Sequence, residues 1–238
     1  ENNKPNVRAP EHEVYGALDL GTNNCRLLLA RPTRRGFRVV DAFSRIIRLG
    51  EGVSQTGRLS DDAMQRTDDA LRVCASKLRR LNVRRARLVA TEACRVAENG
   101  AEFLERIQSD IGLELEILSR ETEARLAVSG CASLIDAQTD FVLVFDIGGG
   151  SSEIIWLDLR SSSDRNKVLR SDRSQIQNSM MAWTSLPLGV VTLSEKFGGR
   201  HITADIFEAM VMQVMELIRP FELEHCISER ISGHEMHF

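Results

Sequence analysis

The sequence predicts an α/β protein built from two like domains, and three observations carry that prediction. Strand-type and helix-type apolar periodicities alternate along the chain, the pattern of a layered α/β architecture. The segment ALDLGTNNCRLLLA near the start reappears as VFDIGGGSSEIIWL, with Asp19 over Asp146 and Gly21 over Gly148, 127 residues further on. The chain has 238 residues, 42% hydrophobic and 27% charged, an ordinary globular composition that excludes collagen, coiled-coil and disordered classes. At that length a chain buries about 70% of its unfolded surface.

Residues 1–13 are polar, contain Pro5 and Pro10, and read as a frayed, disordered terminus. VYGALDLGTNNCRLLLARP then reads as strand, turn and strand, and Phe37–Leu49 continues with β-type alternation. From Ser60 the period changes: Met64, Leu71, Cys74, Leu78 and Leu81 line one face of a helix ending near Asn82, with Ser60 as cap and Asp61 and Asp62 in the first turn. A short strand (Ala86–Ala90), a helix after Asn99, a strand (Leu115–Leu118) and a helix from Glu121 to about Ala132 follow. A domain boundary is expected in the polar stretch 136–140, dividing the chain into 14–135 and 136–238. The second half opens on FVLVFDIGGGSSEIIWLDL; residues 160–182 read as a polar excursion between strands, and a helix over 204–221 is expected to end around Pro220. The final GHEMHF reads as the beginning of a strand.

The longest apolar runs fall far short of the roughly 18 residues of a membrane span, and no signal peptide opens the sequence, so a cytoplasmic protein without a membrane partner is expected. Cys25, Cys74, Cys94, Cys131 and Cys226 lie far apart without a CxxC pair, which points to free thiols in a reducing compartment. The net charge of −3 announces neither nucleic acid nor any other polyanion, so phosphate recognition must come from local arrangement. The basic run KLRRLNVRRAR (Lys77–Arg87) reads foremost as the solvated end of a helix, with guidance of a polyanion as the alternative. His234 and His237 have a metal-pair spacing but no third ligand.

The repeat carries the chemistry. A glycine-rich turn brings several backbone N–H groups against a phosphate, because the missing side chain permits close approach. The aspartate closing each strand repels phosphate but can hold Mg²⁺, or water of its shell, that bridges to phosphate oxygens. Neither turn is a Walker A or dinucleotide-binding fingerprint, since both lead into strands rather than helices.

DLGTNN (19–24), VATEACRVAENGAEFLERI (89–107), ILSRETEARL (117–126), FDIGGGSSE (145–153) and LPLGVVTLSEKF (186–197) together resemble the exopolyphosphatase and guanosine pentaphosphate phosphohydrolase (Ppx/GppA) family. The resemblance implies the duplicated actin-like (ribonuclease H-like) two-domain fold with a cleft between domains, the second domain incomplete at its C-terminal side. It implies a bacterial Mg²⁺-dependent hydrolase, with Mn²⁺ as the alternative metal, that removes terminal phosphate from inorganic polyphosphate or from pppGpp. It places Glu123 as catalytic base, with Glu121 as the neighbouring competitor, and Thr122 where the family commonly has a second acid. Asp146 and Asp19 match the metal- and water-organising acids, with Glu153 as helper. Gly148, Gly149, Gly150 and Ser151 match one phosphate-binding turn; Thr22, Asn23 and Asn24 match the opposing one. Arg95 matches the arginine facing substrate phosphates, and Arg26 is a second candidate. A binding-only (p)ppGpp sensor, a kinase or ATPase of the same superfold, and a filament-forming structural subunit remain the alternatives, and a homodimer is an assembly the family admits.

Overall fold

The computed structural model describes residues 13–34, 36–136, 138–160, 175–199, 201–233 and 236–237. Tyr15–Leu20 (β1) and Asn24–Thr33 (β2) alternate buried and accessible side chains, so Leu18 and Leu20 share a buried face with Cys25, Leu27 and Leu29. Gly36–Ile46 (β3) extends the antiparallel ladder beyond β2. Arg85–Ala90 (β4) joins β1 in parallel and Glu116–Ile117 (β5) joins β4, giving the order β3-β2-β1-β4-β5.

A short helix, Val53–Thr56 (α1), and the long Asp61–Arg80 (α2) connect β3 to β4. The Ser60 hydroxyl accepts from the Ala63 N–H, and Asp61 and Asp62 complement the helix dipole. Ala70, Leu71 and Cys74 are fully buried against the sheet side. Glu92–Val96 (α3) and Gly100–Ile111 (α4) follow β4, and Phe103, Leu104, Ile107 and Ile111 turn α4 into the same core. The terminal basic run is spent mostly in ion pairs: Lys77 and Arg80 on Asp41 (2.7 and 2.8 Å), Arg87 on Glu116 (2.6 Å) and Arg85 on Glu13 (3.8 Å). This agrees with the solvated helix end.

The second half builds Arg120–Cys131 (α5), Phe141–Ile147 (β6), Ser152–Asp158 (β7), Met180–Leu186 (β8), Val190–Lys196 (α6), Ala204–His225 (α7), Ile227–Ile231 (α8) and Met236–His237 (β9). Its sheet order is β8-β7-β6-β9, with β7 antiparallel and β9 parallel to β6. The first sheet has the same order and sense in β3-β2-β1-β4, so the repeat read from the sequence is a repeat of topology. One face of β6 and β7 buries Val142, Val144, Ile155 and Leu157 against Ala124 and Val128 of α5. The other buries Phe141, Leu143, Ile154 and Trp156 with Phe221 and Ile227.

Four expectations shift. The chain divides into compact units 1–117 and 118–238, upstream of the expected 136–140, because the apolar face of α5 packs on β6 and β7. The helix expected to stop around Pro220 runs on to His225: Phe221 is buried in the core beside the proline, and Cys226, with φ of 48°, makes the left-handed cap instead. The polar excursion ends earlier than 182, since Gln175–Ser179 forms a 3₁₀ turn and Met180 already pairs with Leu157. The helix α3 goes unread in the sequence. The frayed segment before Glu13, residues 161–174 and His234 lie outside the described residues.

Lys77 donates to both Asp41 oxygens, and this contact above all, with the Ala42 N–H and the charge of Arg80, holds the carboxyl below its ordinary value of 3.8. A depressed native pKa stabilises the fold above the unfolded value, and the contribution disappears as pH falls through the native one. Asp41→Asn is therefore expected to lower the urea midpoint at neutral pH, with the difference closing as the pH falls below 3.8.

Candidate active site

At the tip of the first hairpin Asp19 faces Arg26 and Leu20 faces Cys25; the Gly21 N–H donates to the Asn24 carbonyl at 2.9 Å. In the second hairpin Asp146 faces Glu153 and Ile147 faces Ser152; the Gly148 N–H donates to the Ser151 carbonyl at 2.9 Å. Each position is carried onto its counterpart by the 127-residue offset, so the two turns are the same hydrogen-bonded object. A Cβ on Gly21 would lie 3.2 Å from the Asn24 oxygen, and one on Gly148 would lie 3.1 Å from the Ser151 oxygen. Both glycines are there for close approach of backbone to backbone.

The other backbone groups of the turns divide by type. Thr22 O accepts from Gly50 N–H (2.9 Å), and Asn23 O accepts from Ile47 (2.8 Å) and Arg48 (3.0 Å). Gly148 O accepts from Val190 (3.0 Å), and Gly149 O accepts from Val191 (2.9 Å) and Thr192 (3.3 Å). Among the described residues, the N–H groups of Thr22, Asn23, Gly149, Gly150 and Ser151 find no such backbone partner. Consecutive amides without an acceptor form a concave set of partial positive charges, the arrangement that binds an anion.

Behind each turn stands a Leu-Gly pair: Leu188-Gly189, inside the motif LPLGVVTLSEKF, and Leu49-Gly50, which no motif covered. A Cβ on Gly50 would come within 2.3 Å of the Thr22 methyl and 3.5 Å of Ala93 Cβ. One on Gly189 would lie 2.4–2.5 Å from the backbone of Gly148 and Gly149. Leu49 and Leu188, which precede them, are buried. The signal was available as RLGEGV and PLGVV, but the pair means something only once the turn is known to press on it.

The first unit adds an arginine. Thr91 N–H donates to Leu20 O at 3.2 Å, so α3 starts where β1 ends, and Arg95 lies on it. Its Nε and one terminal nitrogen both donate to Glu92 Oε2, at 2.9 and 2.5 Å, with side chains only 15% and 7% exposed. Asp19, Thr22, Asn23, Asn24, Arg26 and Arg95 thus gather at one end of one sheet.

The second unit adds a helix-borne glutamate. Ser119 Oγ accepts from the Thr122 N–H (3.1 Å) and starts α5, which places Glu123, half-buried, in the first turn. Glu121 is exposed and pairs with Arg125 at 2.9 Å, a surface i,i+4 pair. On the hairpin Asp146 is exposed, whereas Glu153 is 2% exposed and accepts from the Ser185 hydroxyl at 2.7 Å. Glu123, expected in the first domain, therefore shares its unit with Asp146, Glu153 and the turn Gly148–Ser151.

Among the described residues no three His, Cys, Asp or Glu side chains cluster as a preformed metal cage. Each hairpin instead offers a carboxylate beside open amides. That donor set fits Mg²⁺, which keeps several waters and is held by one or two carboxylates plus substrate phosphate oxygens.

A duplicated α/β fold with an acid and a glycine-containing turn at the tip of each leading hairpin defines the class. The chain belongs to the Ppx/GppA phosphatase family, whose family model matches residues 28–229. It is 31% identical over 214 residues to a guanosine-5'-triphosphate,3'-diphosphate pyrophosphatase of Photobacterium profundum, a match covering 90% of this chain and 39% of that protein. It also resembles an exopolyphosphatase-like protein of known structure (29% identity, TM-score 0.74), covering 87% of this chain and 61% of that one. The crystal structure of the Aquifex aeolicus Ppx/GppA family member (30% identity, TM-score 0.64) covers 89% and 61% respectively. The chain thus spans about two fifths of the curated relative and three fifths of the solved chains. No helix among the described residues is long and apolar enough to cross a membrane.

Gly189→Ala drives a methyl into the backbone of the second turn and is expected to cost about 1–3 kcal/mol in urea unfolding, with shifted amide resonances at Gly148–Ser151. Gly130→Ala, whose Cβ meets nothing within 4 Å on α5, is expected to be neutral or to stabilise by about 0.5–1 kcal/mol.

Proposed function

We propose that this chain carries phosphate-binding and water-activating groups of a hydrolase that releases terminal phosphate from inorganic polyphosphate. The observation that supports it is the repeated turn with carboxylate and unpartnered amides, accompanied in the second unit by a helix-borne glutamate. The amides of Gly149, Gly150 and Ser151, and in the other unit Thr22 and Asn23, take non-bridging phosphate oxygens. Arg95, braced by Glu92, and Arg26 supply positive charge for the anion. Glu123 orients the attacking water and accepts its proton; Asp146, with Glu153 behind it, orders water at the turn. Mg²⁺, or Mn²⁺ in its place, held by Asp146 or Asp19 through water, neutralises charge on the phosphate oxygens when bound. Most of the rate comes from positioning and electrostatics, since phosphoryl transfer asks little covalent chemistry of the protein. The expected setting is the cytoplasm.

Hydrolysis of pppGpp at its 5′ end is the second reading, favoured by the name of the Photobacterium relative. A phosphate-release assay with both substrates, with and without Mg²⁺, separates them. Glu123→Gln is expected to reduce release by at least about 100-fold, within the range that general-base catalysis supplies, while equilibrium binding of the substrate persists. Glu121→Gln should keep near-wild-type turnover. Equal losses in the two variants would remove Glu123 from the role of base, and substrate-dependent stabilisation without release by the parent would leave a binding protein.

A further inference from the structure

The cysteines are not alike. Cys94 is buried without a thiol neighbour among the described residues, and its burial pushes it up to about 12; Cys131 is half-buried and Cys226 exposed. Cys25 and Cys74 are both wholly buried, and their Sγ atoms lie 4.0 Å apart in a thiol–thiol contact between β2 and α2. Cys25 is the residue directly after the turn Gly21–Asn24 and faces Leu20 across the hairpin. Cys74 sits in the middle of α2, 49 residues further along the chain.

We propose that Cys25 and Cys74 form a redox-active dithiol that a hydroperoxide converts to a disulfide, fastening the first phosphate turn to α2. A disulfide bond is about 2.05 Å long, so the sulfurs, now 4.0 Å apart, must approach by roughly 2 Å. The Cys25 hydrogen bond pulls the Cys74 thiol below its ordinary value, and the same contact, with burial, pushes Cys25 up. Cys74 is taken as the attacking sulfur and Cys25 as the resolving one; either sulfur can be the donor in this contact, and the reverse order gives the same disulfide. Cys74 takes the terminal peroxide oxygen and the O–O bond breaks, leaving a sulfenic acid and one water from hydrogen peroxide, or the corresponding alcohol from an organic hydroperoxide. Cys25 sulfur then attacks Cys74 sulfur; the S–S bond forms, the S–O bond breaks, and the oxygen leaves as water. Two electrons pass from the thiols to the peroxide, and the apolar surroundings shield the product from further oxidation. The inference stands on this contact and is independent of the reaction assigned above.

The test is hydrogen peroxide on the folded, reduced chain, followed by alkylation in denaturant and peptide mass mapping. The expected result is a cross-linked peptide pair, two hydrogens lighter, joining the Cys25 and Cys74 peptides and reversed by dithiothreitol. The oxidised protein is expected to melt several degrees higher and to exchange the amides of Thr22–Asn24 at least tenfold more slowly. Cys74→Ala and Cys25→Ser should each abolish both effects. Full alkylation of both thiols after peroxide would overturn the proposal, as would a linked species that melts lower than the reduced form. Because the mapping is done on the unmodified sequence, it decides the matter even where a variant fails to fold.

Discussion

A turn of small residues offers carbonyls and amides in equal number, and a site for an anion requires that the carbonyls be spoken for. In both hairpins the chain behind the turn does this. Ile47, Arg48 and Gly50 donate to Thr22 and Asn23, while Val190, Val191 and Thr192 donate to Gly148 and Gly149. With those carbonyls taken, the amides of Thr22, Asn23, Gly149, Gly150 and Ser151, which have no backbone acceptor among the described residues, outnumber the acceptors left at each turn. The glycines at positions 50 and 189 follow from the same constraint, because a donor backbone that approaches this closely has no room for a Cβ. The sheet order, the connections β3 to α1 and β8 to α6, and the buried leucines before each glycine bring that donor segment to its turn.

One scaffold used twice carries different charges. The pair across the first tip is Asp19 with Arg26, formally balanced; across the second it is Asp146 with Glu153, two carboxylates. A second carboxylate on a strand next to a phosphate turn is unfavourable unless a cation or a donor accompanies it. Glu153 has a donor in Ser185, and Asp146 remains exposed to water or a metal ion.

The repeat was legible because it is written in residue types whose meaning is local. An acid, a glycine and small polar residues between two apolar runs describe a hairpin tip wherever they occur. The Leu-Gly pairs at 49–50 and 188–189 carry little local meaning, since the need for glycine there comes from the tertiary contact each permits. Pro220 misled for the converse reason. Its local cost to a helix is real, but the burial of Phe221 outweighs it and carries the helix through to Cys226. Met180–Leu186 was partly hidden by the polar residues before it, although Trp183 and the ladder to β7 make it a strand.

The placement of α5 has the largest consequence for chemistry. A linker drawn at 136–140 assigns Glu123 to the first domain, in a different packed body from the turn Gly148–Ser151. The polar composition of that stretch suggested the division, but composition reports solvent exposure and not which core a helix serves. Ala124, Val128 and Ala132 face Val142, Val144, Ile155 and Leu157, and Gln177 ties the helix further through Arg125 O (3.0 Å) and Ser129 Oγ (2.6 Å). Glutamate, acidic pair and turn therefore belong to one packed body. In a close-packed core, helix and strands move together, so the spacing between Glu123 and the turn is set by this core rather than by the linker before it.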